Sequence, residues 1–352
     1  LLGVVTLAEF GRMVVVLLNA VFFSLSIGML VSALSRNDRK AMFATLVYGR
    51  RYAGDRDMLA RGGEPIVENW EELDLSLPEE LLIGDSSMTH LYAANLESPL
   101  TDDLTLMSNL PNADMNLCAA SDQLVILQAA GFDLLTANNN HQDDCPEGDI
   151  LGTTQLLETE GFLTLNELNG TWVNELAEKP LVFIGIDDIG TQLNEEGILD
   201  MIRAQKSAGN FVVISAHWGN EYQAGPDARQ EHLAQAWVDA GADLIWGHHP
   251  HVLQRMEWLT SNEDAHRALI LYSLGNLVSD QHMLPDVQRS GLVQVTIKNN
   301  HIRQVTVAPF MVNWDLGSLI FELPQVDQEK IQDRLQVDLL SSRGTEISVY
   351  SP

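Results

Sequence analysis

Between about residue 50 and residue 310 one pattern recurs: a short apolar run, a polar end, then a stretch of helical composition. Seven runs read as strands: LYAANLE (91–97), FDLLTAN (132–138), PLVFIGI (180–186), FVVISAHW (211–218), ADLIWG (242–247), ALILYSLGNLV (268–278) and LVQVTI (292–297). Helical stretches lie between them, notably 227–240 (DARQEHLAQAWVDA), which stops at Gly241, a residue suited to a C-cap. Strand, helix, strand repetition argues for an α/β domain. At 352 residues and 45% hydrophobic content the chain can bury a real core.

The N-terminal part differs. Residues 13–35 carry no charge, and as a helix at about 1.5 Å per residue they would span about 34 Å, enough to cross a bilayer. Arg12 precedes the run and Arg36, Arg39 and Lys40 follow it. That excess favours a cytoplasmic C-terminal side, a count that helices upstream of Leu1 would change. The stretch FFSLSIGMLVSALSRNDRKAM also resembles the end of an ABC-type permease membrane domain. The expected division is a membrane segment at 1–49, an α/β domain at 50–323 and a polar, peripheral tail at 324–352.

Charge and cysteine content exclude some functions. Twenty basic residues against 49 acidic give a net charge of −29, and only five of the basic residues are lysine. Such a surface repels nucleic acid, which needs a Lys/Arg footprint, and favours solubility. An anionic substrate is still admissible, because a bound cation inverts the local field. Cys118 and Cys145 are too few for a disulfide scaffold or a thiolate metal site and read as inert buried thiols.

Metal-type side chains collect where the apolar runs end, which is where α/β folds place their sites. FVVISA runs into His217, then Glu221 and Tyr222. ADLIWG runs into His248, His249 and His251, three of the ten histidines within four positions. FDLLTA runs into Asn138 to Asn140 and His141, with Asp143 and Asp144 beyond; LYAA runs into Asn95 and Glu97; upstream lie Asp55 and Asp57. One histidine at a strand end is ordinarily a hydrogen-bonded structural residue. Recurrence at five ends, with few basic residues among them, points instead to a metal centre. Mixed His, Asn and carboxylate ligands suit zinc, manganese or iron, and the ligand count exceeds what one ion needs.

The motifs AGDRDMLARG, NLESPLT, ANNNHQDD, SAHWGNEY, GADLIWGHHPHVLQ and LYSLGNLVSDQ, in this order, resemble the CapA/PgsA-type poly-γ-glutamate capsule biosynthesis proteins of the calcineurin-like metallophosphoesterase superfamily. The resemblance covers about residues 50–310. It implies a metallophosphoesterase-like layered β-sandwich flanked by helices, two divalent ions (Mn, Zn or Fe), and a phosphoester or anionic polymer as ligand. It also implies a place at the cell membrane beside a polymer synthase or export complex. By the same resemblance Asp55 binds the first metal and Glu97 bridges. Asn140, His217, His249 and His251 complete the ligands, His141 faces the phosphoryl group, and His248 is spare. The first motif is one residue longer than the family's, so Asp57 is the alternative to Asp55. Asp144, three residues after His141, is placed to orient its ring, and Glu221 and Tyr222 to shape the pocket rim. A membrane-tethered accessory subunit, with the metals structural or polymer-binding, is the competing expectation.

Overall fold

The computed structural model describes residues 38–46, 88–102, 117–121, 124–145, 150–165, 171–174, 180–190, 192–279, 284–313, 318–336, 342–343 and 346–349. In chain order the strands are β1 (Asp38–Leu46), β2 (Met88–Leu96), β3 (Leu100–Thr101), β4 (Ala119–Ala120), β5 (Leu134–Thr136), β6 (Leu163–Thr164), β7 (Thr171–Asn174), β8 (Leu181–Asp187), β9 (Phe211–His217) and β10 (Leu244–His248). They continue with β11 (Met256–Thr260), β12 (Arg267–Leu271), β13 (Arg289–Lys298), β14 (His301–Asn313), β15 (Ser318–Ile320), β16 (Ser342–Arg343) and β17 (Glu346–Val349). The helices are α1 (Leu124–Ala129), α2 (Ile150–Thr159), α3 (Glu195–Ser207), α4 (Ala228–Ala240) and α5 (Gln325–Leu335).

The fold is mixed α/β. One sheet runs β16-β17-β14-β13-β1-β2-β5-β6, with β15 on β14; the second runs β11-β12-β10-β9-β8-β7. β1, β2, β5 and β6 are mutually parallel, as are β8, β9, β10 and β12. Parallel central strands are covered on both faces, and their sequences are accordingly apolar on both faces over much of their length. In β9, Phe211 and Val213 enter one core cluster while Val212, Ile214 and Ala216 enter another. β2 divides in the same way, Leu91 and Ala93 to one side, Tyr92, Ala94 and Leu96 to the other.

The first cluster joins both sheets: Leu91, Leu134, Val293 and Val305 meet Phe183, Val213, Leu244 and Trp246. The second and third seat α1 and α2 on the first sheet and α3 and α4 on the second, through Leu124, Leu127 and Leu157, and through Ile198, Ile202, Leu233 and Trp237. α4 starts at a capping box between Asp227 and Gln230 and ends at Gly241, at φ 112°, as its sequence predicts.

Three findings extend or correct the sequence reading. β1 lies ahead of the composition break at residue 50, yet it pairs with β2 over nine residues and with β13 on its other edge. α5, in the tail read as peripheral, puts Ile331 and Leu335 into the core between the sheets. Cys118 and Cys145 are not free: they form a disulfide, with Cα atoms 4.9 Å apart and both side chains buried. The fold brings the chain before β4 against the loop after β5, and the Leu117 amide donates to Asp144 Oδ2 at 2.8 Å beside the bridge. The membrane segment expected at 13–35 lies outside the described residues; among those described, no helix is long and apolar enough to cross a membrane.

Candidate metal centre

Strand parity aims the site. In β8, β9 and β10 the odd or even set that faces the other sheet ends in Asp187, His217 and His248, and these three are register neighbours, Asp187 with His217 and His217 with His248. On the first sheet the inward set of β2 runs Leu91, Ala93, Asn95 and reaches Glu97, and that of β5 runs Leu134, Thr136 and reaches Asn138. Alternation alone therefore sends polar side chains from both sheets into one gap at the carboxyl ends of parallel strands.

Glu97, Asn140, His217, His249 and His251 come together there. His217 Nε2 lies 2.7 Å from Asn140 Oδ1, 3.1 Å from His249 Nδ1 and 3.6 Å from Glu97 Oε1. Glu97 Oε1 is also 3.5 Å from His251 Nε2. Two atoms that each sit about 2.1 Å from a tetrahedral ion are about 3.4 Å apart, so these separations suit ligands of a common cation. Glu97 Oε1 thus faces both His217 and His251. Among the described residues, two three-residue groups have ligand atoms within 4.8 Å of one another, Glu97 with His217 and His249, and Glu221 with His249 and His251.

The electrostatics fit a cation. Glu97 is fully buried, and neither of its carboxylate oxygens accepts a hydrogen bond. Burial, then the Glu221 and Asp187 charges, hold its carboxyl well above the usual range. Burial drives the histidines the opposite way. His217 is well below its ordinary value, with neighbouring imidazoles adding to the effect. His249 falls to about 4, with His141 contributing, and His251 to about 3, against an opposing hydrogen bond to Asn276. Neutral imidazoles around a donor-starved carboxylate are a set that a divalent ion satisfies.

His141 sits on the loop after β5. Its Nδ1 is 2.9 Å from Asp144 Oδ2, the same oxygen that the Leu117 amide reaches. The His141 amide donates to Asn139 Oδ1, and Asn139 Nδ2 donates to the Leu96 carbonyl, which ties this loop to the end of β2. Tyr222, His249 and His251 adopt left-handed backbone, with φ of 60°, 99° and 58°. Such conformations cost about 1–3 kcal/mol each in a non-glycine residue and collect at functional sites. Asp55 and Asp57 lie outside the described residues.

Sequence reasoning misses two residues. It places Glu221 at the rim, but the Glu221 carboxylate is grouped with His249 and His251. Asp187 ends PLVFIGI just as His217 ends FVVISA; it is buried, and its Oδ1 accepts from the Ile189 and Gly190 amides at 3.0 Å each. The signal for it is a sixth apolar run ending in an acid.

The sequence of this chain is similar to that of known proteins, and they define its class. Residues 166–281 match the family described as Bacterial capsule synthesis protein PGA_cap. Over 277 residues the chain is 31% identical to the Capsule biosynthesis protein CapA of Bacillus anthracis, covering 72% of this chain and 64% of that one. Over 248 residues it is 31% identical to the PGA biosynthesis protein CapA of Bacillus subtilis (strain 168), covering 63% of this chain and 61% of that one. The chain belongs to the CapA family of capsule biosynthesis proteins. It spans less than two thirds of the length of these relatives.

Proposed function

We propose that the chain is a metal-dependent hydrolase of a phosphoester bond, acting in the metabolism of a capsule, poly-γ-glutamate or related cell-envelope polymer. The supporting observation is the convergence of Glu97, Asn140, His217 and His249 on one point, with Glu97 also turned to His251. Glu97, Asn140, His217 and His249 would hold one divalent ion. Glu97, His251 and Glu221 would hold the other, the first metal of the family pattern, with Asp55 or Asp57 as its further ligand. Such ions supply charge neutralisation at a phosphoryl oxygen and a more acidic water.

The protein's own groups do the rest. Asp144 takes the Nδ1 proton of His141 in a hydrogen bond and fixes the ring plane, so Nε2 is the atom left for the substrate. A proton on Nε2 stabilises charge on the phosphoryl group or passes to the leaving oxygen. Tyr222, from the His217 loop, forms part of the wall beside His251, with ring centroids 6.1 Å apart. The same reading includes a membrane tether through residues 13–35, an anionic ligand and no nucleic acid.

The relatives' names favour a second reading, since both describe biosynthesis. In it the chain is a membrane-tethered accessory subunit of a polyanion synthesis or export complex, and the ions hold polymer carboxylates. Elemental analysis and turnover of p-nitrophenyl phosphate and its bis ester, with Mn²⁺ or Zn²⁺, separate the two. The hydrolase reading expects two bound ions and turnover that His249→Ala abolishes. Two bound ions without turnover, together with polymer binding lost in His249→Ala, would replace it with the accessory reading. Less than one ion per chain would end both.

A further inference from the structure

His248 is the histidine that the metal pattern leaves over, yet it is as buried as His217 beside it. Its Nδ1 lies 2.7 Å from His217 Nδ1, and its Nε2 lies 3.0 Å from Ser215 Oγ. Ser215 Oγ is in turn 3.3 Å from Thr136 Oγ1 on the opposite sheet. The four side chains form a buried row running from the site into the sandwich.

Two ring nitrogens at hydrogen-bonding distance share one proton, so the direction of the row is a choice between two tautomers. Metal ligation on the far side of the His217 ring decides it. There Nε2 faces Asn140 Oδ1, Glu97 Oε1 and His249 Nδ1, two oxygen acceptors and an imidazole nitrogen. For Nε2 to serve as a ligand its lone pair must be exposed, and the His217 proton must then sit on Nδ1. The group that receives it is His248 Nδ1. His248 then carries its own proton on Nε2 and donates to Ser215.

We propose that His248 is a positioning residue that fixes His217 in the Nδ1-protonated tautomer and so presents the His217 Nε2 lone pair to a divalent cation. An imidazole here fills the place that a carboxylate or carbonyl usually takes behind a metal-bound histidine. It does so without adding negative charge to a gap that already holds Glu97, Glu221 and Asp187. This inference rests on the metal-binding reading above.

Asparagine and glutamine at position 248 separate the two ends of the ring. In His248→Asn the side-chain amide oxygen can take the place of Nδ1 opposite His217. The longer amide of His248→Gln instead reaches towards Ser215 and leaves methylene opposite His217. Zn²⁺ affinity of the full chain is measured by competition with a chromophoric chelator, with Co²⁺ absorption reporting ligand geometry. H248N should stay close to wild type, whereas H248Q should bind about 10- to 100-fold more weakly. Equal affinity of H248Q and wild type, or equal loss in both variants, would overturn the proposal. Nitrogen-15 histidine NMR of the wild-type protein gives a test that needs no variant at 248: the His217 signal, assigned with His217→Gln, should show a proton on Nδ1 when Zn²⁺ is bound. An unprotonated Nδ1 also overturns it. Wild-type protein that binds no ion at all would instead sink the metal-binding reading itself.

Discussion

Gly247 stands in β10, one residue before His248, with no room for a side chain. A Cβ built there falls on the Tyr272 carbonyl oxygen and Trp218 Nε1, closer than the 3.0 Å that real Cβ atoms respect. Ordinary contact begins at 3.4 Å, so in Gly247→Ala the backbone of β10 and the chain after β12 must part by about 1 Å. The Trp218 Nε1 hydrogen bond to the Tyr272 carbonyl, 3.0 Å long and fully buried, lies in the path of that movement. So does the stack of Trp218 on Trp237 and Tyr272, with centroids 5.3 and 5.6 Å apart. Overpacking costs about 1–3 kcal/mol and an orphaned buried donor about 1–3 kcal/mol, so the expected loss is about 2–6 kcal/mol. A domain of this kind has about 5–15 kcal/mol in total. Urea unfolding followed by tryptophan fluorescence measures the loss. Gly225→Ala is the control, since a Cβ there meets nothing within 4 Å, and it should stay within about 0.5 kcal/mol of wild type. If G247A unfolds at the wild-type midpoint and keeps wild-type metal affinity, the tight fit of β10 against Trp218 does not set the site.

Three more predictions concern charge and cross-linking. In chelator-treated protein, His251 has a folded pKa of about 3 against about 6.5 unfolded, so its contribution is complete above pH 6.5 and is lost as pH falls towards 3. At pH 5 that is about 2 kcal/mol, and in His251→Asn the drop in stability between pH 7 and pH 5 should shrink by about that amount; an unchanged drop refutes the assignment. Glu97 has the opposite sign: its folded pKa is raised, so it destabilises the metal-free fold as pH rises above its unfolded value, by up to about 1.4 kcal/mol per pH unit. Glu97→Gln should therefore raise metal-free stability at pH 8 while lowering bound metal, and calorimetry with and without Zn²⁺ reads both. Cys118→Ser with Cys145→Ser opens a link across 27 residues, which loop-closure entropy values at about 3.5 kcal/mol; equal urea midpoints of the double variant and oxidised wild type would contradict it.

The parallel strands were legible because they are buried on both faces, and each apolar run stops where a polar residue must begin. FVVISAH and LIWGH are strands to within two residues of their expected ends, and parity places His217 and His248 on the inner face. What stayed hidden depends on neighbours that are distant in sequence. Nothing local distinguishes Cys118 and Cys145 from free thiols until two loops meet. α5 is polar overall, and only the spacing of Ile331 and Leu335 marks its docked side. Glu221 follows His217 by four residues on a loop, where no periodicity says which way a side chain points. His248 was legible as a histidine but not as a partner, because its role comes from the register of β10 against β9.

The two loops that carry the histidines are fastened to each other by main chain as well as by side chains. The Trp218 amide donates to the His248 carbonyl at 3.1 Å, and the Tyr222 amide to the Pro250 carbonyl at 2.8 Å. Gln254 then reaches back to the Gln223 and Gly225 carbonyls and accepts from Gln230. Neither loop can fray alone without breaking bonds held by the other, so the pair should open as one cooperative unit. The amides of Trp218 and Tyr222 should then exchange hydrogen at a common, slow rate, although both lie beyond the end of a strand where rapid exchange is the norm.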